Sequence, residues 1–345
     1  MKRHPFRARL GVLALIACAA LAAPAAQAAD ALPKLHADAS RTSVSGLSSG
    51  AFMAVQYGVA YSASVMGLGV VAGGPYNCAW VNVGGIQTCM SGTPSGDASW
   101  AGAQGFAALG QIDPVAGLAR LKVYIFSGTK DQVVKPSAVK ATRDFFKVAG
   151  VPAKELAFVD NLPAGHAFIA PAFGNTCATN AAPYIDHCPA KKGSTQPYDQ
   201  PYAILTQIYG PLKPPSDTLS ATVQPFDQTE FLGVTGSFDS AGFVYIPQAC
   251  AADASQCAVH VVFHGCKQGA QSVGPDVYAS VGYNRWADTN QIIVLYPQVV
   301  TSQVNPANPE GCWDWWGYTG LDFQVRSGLQ MTAIKAMVDR LTAGK

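Results

Sequence analysis

Charged residues are scarce in this sequence, since only 13% of its 345 residues are Asp, Glu, Lys or Arg. The first 28 residues hold four of the basic ones and no acidic one, so the rest of the chain carries 19 basic and 21 acidic side chains. A balance this close to neutral offers little electrostatic attraction to a nucleic acid or to an anionic membrane. We therefore expect neither as a partner.

Cys-x-x-Cys pairs are also missing, although the sequence has nine cysteines. Eight of them follow residue 28, and an even number in an exported chain is typical of disulfide bonds rather than of a zinc site. Many pairings are open, but three pairs would each close a short loop and leave the last two cysteines for each other: Cys78 with Cys89, Cys177 with Cys188, Cys250 with Cys257, and Cys266 with Cys312. We expect four disulfide bonds, no metal and no cofactor.

Residues 1–28 have the pattern of a secretory signal peptide. Four basic residues precede an apolar run from Leu10 to Ala23, and Ala26-Gln27-Ala28 offers small residues for cleavage. This run is short for a membrane-spanning helix. A membrane anchor stays an alternative, and so does lipidation at Cys18, where Leu15-Ile16-Ala17-Cys18 looks like a lipoprotein cleavage box. We expect a secreted protein, extracellular or periplasmic, with no membrane insertion.

The remainder, 29–345, shows no long repeat, linker or appended module, which predicts a single domain. Strand-like and helix-like runs alternate, and this favours an α/β fold with a mostly parallel central sheet flanked by helices. The predicted strands are 40–46, 66–72, 120–127, 155–160, 258–263 and 291–296, with a hairpin formed by 229–236 and 242–247. The predicted helices are 50–62, 137–148 and 322–342, with one further helical piece around 202–209. Residues 167–228 are rich in proline, so we predict a covering and connecting excursion outside the core layers.

The sequence Gly46-Leu47-Ser48-Ser49-Gly50 lies between a predicted strand and a predicted helix. In that context a Gly-x-Ser-x-Gly motif is typical of a nucleophile elbow, whose glycines allow backbone segments to approach closely. The serine then lies at a helix N-terminus, where amide groups favour a developing oxyanion. Ser49 is the competing hydroxyl, but the motif centres on Ser48, and we predict Ser48 to be the nucleophile.

A serine nucleophile needs a base that is itself oriented by a carboxylate. Asp131 follows the predicted strand 120–127, and His166 follows the predicted strand 155–160. This gives the order Ser, Asp, His that is usual in α/β-hydrolases. We predict Ser48, Asp131 and His166 to be the catalytic triad.

The remaining histidines are less suited to act as the base. They lie in the leader, ahead of the fold, in a predicted disulfide loop, within a strand and at a strand end, and are His4, His36, His187, His260 and His264. The last of these opens His264-Gly265-Cys266, at the position from which this fold lends a backbone N–H to the oxyanion hole. We therefore predict a structural role for His264 and an oxyanion hole formed by the amides of Ser49 and Cys266.

The order of these pieces is unusual for the fold. The oxyanion loop normally precedes the nucleophile, but here Cys266 follows Ser48 by more than two hundred residues. If the hairpin supplies the first two strands, and 258–263 and 291–296 the third and fourth, the strand before Ser48 is the fifth. We predict a circularly permuted α/β-hydrolase with its mature ends close together.

Several motifs resemble secreted poly(3-hydroxybutyrate) depolymerases of the single-domain, circularly permuted kind. They are the segment from Val44 to Ala54, Gly73-Gly74-Pro75-Tyr76-Asn77-Cys78, Gly165-His166, and His264-Gly265-Cys266 with Asn308-Pro309-Glu310-Gly311-Cys312-Trp313. The resemblance spans nearly all of the mature chain and implies a catalytic domain that hydrolyses polyester bonds with Ser48, Asp131 and His166. Parts of it recur in feruloyl-esterase-like enzymes, so an esterase for small or plant esters stays an alternative, as does a non-catalytic polymer-binding protein.

Three tryptophans, Trp313, Trp315 and Trp316, follow Cys312. A short-chain polyester offers methyl groups and ester carbonyls but no charge, which suits an aromatic cleft wall. Because neighbouring side chains alternate in direction along an extended chain, not all three can face one cleft, and we predict that Trp313 does. No basic residue stands in the three site motifs to pair with a carboxylate. We expect a monomer whose partner is a polyester or its oligomers.

Overall fold

The computed structural model describes residue 1 and residues 29–190, 195–232 and 236–344. The predicted signal peptide, with Cys18, lies outside the described residues, apart from residue 1. None of the helices in the described ranges is long and apolar enough to cross a bilayer.

Eight strands form the central sheet, and three short strands form a second one. In chain order the strands are β1 (Thr42–Leu47), β2 (Val65–Val71), β3 (Lys122–Phe126), β4 (Leu156–Val159), β5 (Phe168–Ile169), β6 (Asn175–Thr176), β7 (Ile185–His187), β8 (Gln224–Asp227), β9 (Ala241–Tyr245), β10 (Ala258–Phe263) and β11 (Ile292–Tyr296). The central order is β4-β3-β2-β1-β10-β11-β9-β8, and β5-β7-β6 form the smaller sheet. Only the contacts of β9 with β11 and β8 are antiparallel in the central sheet.

The middle strands are buried along their whole length because helices cover both faces of the sheet. Every residue of β1, β10 and β11 is buried. The helices are α1 (Ser49–Ala60), α2 (Cys78–Val81), α3 (Gly85–Ser91), α4 (Gly96–Ala108), α5 (Pro136–Val148), α6 (Gln200–Tyr209), α7 (Thr229–Leu232), α8 (Gln248–Ala252), α9 (Ala270–Val273), α10 (Tyr283–Asn290) and α11 (Leu329–Thr342). The predicted α/β class with a mostly parallel sheet is confirmed.

The strand order also confirms the circular permutation. Starting from β8, the sheet runs first, second, fourth and third strand of the hydrolase order, and β1 to β4 then supply the fifth to the eighth. The two ends of the fold meet, since His36 N donates to Ala343 O at 2.9 Å and Ala37 N to Leu341 O at 3.1 Å. The strand that leads to Ser48 is therefore central in the sheet although it is first in the chain.

Two predicted elements are wrong in their bounds. The strand that pairs with β9 is 224–227, and 229–232 form α7, because the Asp227 carboxylate accepts hydrogen bonds from the Thr229 amide and hydroxyl and starts a helical turn there. Residues 233–235 of the predicted strand 229–236 lie outside the described residues. Pro225 is tolerated in this strand because β8 is an edge strand. The last helix begins at Leu329 and not at residue 322, since residues 322–328 form turns that end at Gly328.

The proline-rich excursion 167–228 was expected to lie outside the core layers, and one part of it does not. Helix α6 packs on β2 and β3 with its buried Ile204 and Ile208. Gly67 and Gly69 make room for them, because a Cβ at Gly69 would lie 2.8 Å from the Ile204 side chain. Leu68 points the other way, toward Gly58 of α1. Helices α1 and α6 therefore cover opposite faces of the sheet.

Four disulfide bonds are present, between the cysteines that the sequence analysis paired: Cys78 with Cys89, Cys177 with Cys188, Cys250 with Cys257, and Cys266 with Cys312. The first three join residues 7 to 11 positions apart, whereas the last spans 46 positions. Disulfides at this density are typical of a protein that folds in an oxidising compartment.

Candidate active site

Ser48 lies in a sharp turn between β1 and α1. Its backbone has φ 56° and ψ −122°, a conformation that few residues other than glycine adopt. The turn requires glycine on both sides, since a Cβ at Gly46 would lie 2.3 Å from the Gly50 carbonyl and one at Gly50 would lie 2.4 Å from the His264 carbonyl oxygen. The local structure is therefore that of the predicted nucleophile elbow.

Asp131 and His166 lie at the carboxyl ends of β3 and β4, in the loops that follow these strands. His166 Nδ1 donates to Asp131 Oδ2 at 2.8 Å, and both side chains are buried. The other carboxylate oxygen, Oδ1, accepts hydrogen bonds from the amides of Val133 and Val134 at 2.8 and 2.9 Å. Because the proton of Nδ1 is engaged, Nε2 is the ring nitrogen that can accept one.

Asn180 holds the His166 loop, and no sequence pattern pointed to it. Its Oδ1 accepts from the amides of His166 and Gln132 at 3.0 and 2.9 Å, while its Nδ2 donates to Lys130 O. Asn180 therefore joins the loop of the histidine to the loop of the aspartate. Gly165 allows this close packing, since a Cβ there would lie 1.9 Å from the Thr179 carbonyl oxygen.

The loop 264–268 approaches the elbow from β10. Gly265 N donates to Gln268 Oε1 at 2.7 Å, and Gln268 Nε2 donates in turn to the carbonyls of Pro183 and Tyr184. The loop thereby places Gly265 and Cys266 on the wall of the same cavity as Ser48. Ser49 is the first residue of α1, where amide groups have no partner within the helix.

Ser49 and His264, the competing serine and histidine, have structural roles. The Ser49 hydroxyl is buried and accepts from the Trp313 amide at 3.3 Å. His264 donates from Nδ1 to Gly265 O and accepts at Nε2 from the Val299 amide. Burial lowers the pKa of His264 to about 4, so this ring is neutral at neutral pH.

His260 is likewise structural. Its Nδ1 and Nε2 lie 2.7 and 2.8 Å from the hydroxyls of Ser43 and Ser45. Burial lowers its pKa to about 3. His260 and His264 are four positions apart, which on a strand corresponds to roughly 13 Å. Within the described ranges no group of three or more His, Cys, Asp and Glu side chains is arranged to hold a metal.

A cavity of about 360 Å³ opens over Ser48 and His166. Its size is that of a small-molecule cleft. Most of its wall is apolar, and the large contributors are Phe52, Ile86, Met90, Val133, Trp315 and Trp316.

The structure does not place Trp313 in this cleft, and that prediction is wrong. Trp313 is fully buried in the main core, with its ring centroid 5.1 Å from that of Phe263 and 5.7 Å from that of Phe238. Trp315 lines the cleft instead and stacks on Phe52 at 4.2 Å. Trp316 lines the cleft beside Trp315, with the two ring centroids 5.4 Å apart.

Asp314 explains why Trp315, and not Trp313, faces the cleft. Its buried carboxylate accepts hydrogen bonds from the amides of residues 316–319 and from the Thr319 hydroxyl. The chain therefore turns tightly after Trp313 and does not continue as an extended strand. Side chains no longer alternate in direction, so the three tryptophans could not be assigned from their spacing alone.

Other wall residues come from segments that the sequence analysis did not connect with the site. Ile86 and Met90 lie on α3, which the Cys78–Cys89 bond holds, and Tyr184 belongs to the excursion. Val133 could have been found from sequence, because it follows the predicted Asp131 by only two residues. In the structure its amide donates a hydrogen bond to the Asp131 carboxylate.

The chain is similar to proteins of known function over most of its length. A poly(3-hydroxybutyrate) depolymerase of Delftia acidovorans is 43% identical over 321 aligned residues; the alignment covers 91% of this chain, and the chain spans 62% of that relative. A polyhydroxybutyrate depolymerase of Talaromyces funiculosus is 38% identical over 338 residues, with 91% of this chain and 93% of that protein covered. The chain belongs to the polyhydroxybutyrate depolymerase family.

Solved structures of this family agree with the fold. The crystal structure of the PHB depolymerase from Penicillium funiculosum has a TM-score of 0.83, with 36% identity over 90% of this chain and 98% of that one. The same values hold for a PHB depolymerase that carries a serine-to-alanine substitution and is complexed with an R3HB trimer. No family model matches the chain.

Proposed function

We propose that this protein hydrolyses the ester bonds of poly(3-hydroxybutyrate), related short-chain polyhydroxyalkanoates and their oligomers, with Ser48 as nucleophile. The observation that carries the proposal is one apolar cavity onto which Ser48 and His166 both open, while a buried Asp131 holds the imidazole through Nδ1. Membership of the depolymerase family supports the same substrate class.

The first half of the reaction forms an acyl-enzyme. His166 Nε2 takes the proton of the Ser48 hydroxyl as Oγ attacks the ester carbonyl carbon. The carbonyl oxygen becomes an oxyanion, which we expect the Ser49 and Cys266 amides to stabilise by donating hydrogen bonds. The bond to the ester oxygen then breaks, and His166 gives the proton to the leaving hydroxyl group.

The second half releases the acyl group to water. His166 Nε2 accepts a proton from a water molecule, whose oxygen attacks the acyl carbon. Collapse of this second intermediate breaks the bond to Ser48 Oγ, and the proton returns to the serine. The product carries a new carboxylic acid, which ionises at neutral pH.

The apolar wall suits an uncharged chain of methyl groups and esters. Phe52, Trp315 and Trp316 offer flat surfaces for such a chain, and binding of units away from the scissile ester helps to position it. We therefore expect oligomers shorter than about a trimer to be poor substrates.

The proposal also covers the export of the protein, its domain organisation and its oligomeric state. The leader pattern of residues 1–28 and the four disulfides support secretion, either beyond the cell or into the periplasm. We propose that 29–345 acts as a single catalytic domain and as a monomer.

Purified mature protein tests the function on suspensions of amorphous and semicrystalline poly(3-hydroxybutyrate), with a feruloyl ester as the comparison substrate. Clearing of the polymer with release of 3-hydroxybutyrate or its oligomers is the expected result. Rapid turnover of the feruloyl ester with intact polymer particles would assign the protein to the plant-ester esterases instead. Ser48→Ala serves as the inactive control.

A further inference from the structure

Two oppositely charged side chains line the otherwise apolar cleft beside the oxyanion loop. Lys267 directly follows Cys266, and Glu310 lies two residues before Cys312. Lys267 Nζ lies 2.6 Å from Glu310 Oε2, and the two side chains are 56% and 48% exposed. Among the described residues of the cleft wall, the ionisable side chains are His166, Tyr184, Lys267 and Glu310.

The backbones of these two residues are fixed while their side-chain ends are accessible. Lys267 N donates to Glu310 O at 2.7 Å, and the adjacent disulfide brings the Cα atoms of Cys266 and Cys312 to 4.2 Å. Since neighbouring Cα atoms are about 3.8 Å apart and a lysine chain is about 6 Å long, the ammonium group stays within roughly 10 Å of the Cys266 amide.

The chemistry of the proposed reaction places a carboxylate in this region. A polyester chain of this class is uncharged along its length and carries a carboxylate at one end only. In each cleavage the leaving fragment is the one that holds this end. When the scissile ester is the last in the chain, that carboxylate lies about four bonds, or roughly 5 Å, from the reacting carbonyl, well within the reach of Lys267.

We propose that Lys267, with Glu310 as its counter-ion, binds the free carboxylate of an oligomer at the mouth of the cleft and so sets a preference for carboxylate-ended oligomers. This inference rests on the proposed function. Lys267 acts on specificity and not on the reacting bond, since an ammonium group offers three donors and can bind Glu310 and a substrate carboxylate together.

Glu310 neutralises Lys267 when no substrate carboxylate is bound. While the cleft is empty or holds an uncharged stretch of polymer, the ion pair keeps the rim neutral. A half-exposed ion pair contributes little free energy, so one donor of the Lys267 ammonium can turn from Glu310 to an incoming carboxylate at low cost. Released acids should bind at the same place and inhibit.

The test compares the 3-hydroxybutyrate trimer as free acid with the same trimer as methyl ester, for the wild type, Lys267→Met, Lys267→Arg and Glu310→Gln. We expect Lys267→Met to lower the ratio of kcat/KM for acid over ester about two- to fivefold, Lys267→Arg to retain the ratio, and Glu310→Gln to raise it. All Lys267 variants keep a side chain at φ 58°, so backbone strain is matched. Higher salt should reduce the wild-type ratio and leave that of Lys267→Met unchanged.

Lys140→Met is the matched control, because Lys140 is 58% exposed, forms an ion pair with Asp144 and is not among the residues of the cleft wall. It removes the same charge and should not change the ratio. Inhibition of p-nitrophenyl butyrate hydrolysis by the 3-hydroxybutyrate dimer acid is the second measurement, and it should weaken in Lys267→Met. Thermal unfolding of each variant reports on folding.

Equal losses on acid and ester trimers in Lys267→Met, with unchanged inhibition by the dimer acid, would overturn the inference and assign Lys267 to support of the loop. That result would leave the proposed function intact, because the wild type would still hydrolyse both trimers. If the wild type hydrolyses neither trimer, the proposed function itself falls, and the inference falls with it.

Discussion

His166 Nδ1 lies 2.8 Å from Asp131 Oδ2, and the second oxygen of that carboxylate is held by two backbone amides. The imidazole therefore has one preferred tautomer and one orientation. Asp131→Asn should reverse the preferred tautomer with little change in shape and lower kcat by roughly 10⁴-fold. Ester hydrolysis by a folded variant is the measurement, with Asp144→Asn, outside the cleft wall, as control. A loss below about tenfold would contradict the assignment of Asp131.

The nucleophile and the base should act as one unit. Ser48→Ala and His166→Ala should each remove most activity, while the double variant loses little more. Rates of p-nitrophenyl ester hydrolysis for the three variants provide the comparison. Losses that multiply in the double variant would show that the two side chains do not share one step.

Trp315 and Trp313 should differ in what their removal affects. Trp315→Ala should reduce hydrolysis of the trimer and polymer more than that of a p-nitrophenyl ester, because it removes part of the cleft wall that binds remote units. Trp313→Ala should instead cost about 3 to 5 kcal/mol of stability, since its ring is buried in the main core. Unfolding curves together with both assays distinguish them. A selective loss on polymer in Trp313→Ala, with normal stability, would reverse these roles.

The Cys266–Cys312 bond joins the proposed oxyanion loop to the loop that carries the tryptophans. Replacing both cysteines by serine should lower activity as well as stability, the latter by about 2 to 5 kcal/mol. The Cys250–Cys257 bond, which lies outside the cleft wall, is the matched control. Its removal should lower stability alone. Normal kcat in the variant that lacks the Cys266–Cys312 bond would show that the oxyanion loop needs no such support.

The adjacency of residues 36 and 343 predicts that the original strand order can be restored. A chain opened between residues 190 and 195, with its present ends joined by a short flexible linker, should fold and hydrolyse esters. The cost should be small, because closure of a loop depends weakly on its length. Circular dichroism and esterase assays are the measurements. An insoluble product with either of two linker lengths would argue against the predicted tolerance.

The burial of Asp186 should make the stability of the protein depend on pH. It is a buried residue of β7, and burial raises its pKa to about 7, although contacts with Asn175 and the Thr179 amide partly oppose this. The folded state then holds a proton that the unfolded state releases near pH 4, so the contribution of Asp186 to stability should fall as pH rises from about 4 to 7. Asp186→Asn should unfold at a higher temperature than the wild type at pH 8 and show a smaller difference at pH 4. Parallel pH profiles would contradict this.

Sequence reasoning succeeded where structure depends on local pattern. The strands 258–263 and 291–296 are buried on both faces, so their short, mainly apolar runs were sufficient to identify them. The elbow at Ser48 was also identifiable, because the close approach of backbone at Gly46 and Gly50 excludes a Cβ. The order of these elements in turn predicted the permutation.

Sequence patterns did not predict features that depend on contacts between residues far apart in the chain. Helix α6 joined the core because glycines on β2 leave space for its isoleucines. Trp315 took the place of Trp313 because the Asp314 carboxylate turns the chain. Lys267 was missed because the search for a basic residue stopped at the site motifs, and Lys267 stands one position beyond His264-Gly265-Cys266.

The pairing of β1 with β10 has a consequence for the newly made chain. Synthesis proceeds from the N-terminus, so Ser48, Asp131 and His166 are complete while residues 258–263 are still missing. Until those residues arrive, β1 is an open edge, and the Cys266 amide that we propose as an oxyanion donor is absent. On the proposed mechanism, a partly synthesised chain holds all three triad residues and still cannot hydrolyse an ester until the second half of the chain has closed the sheet.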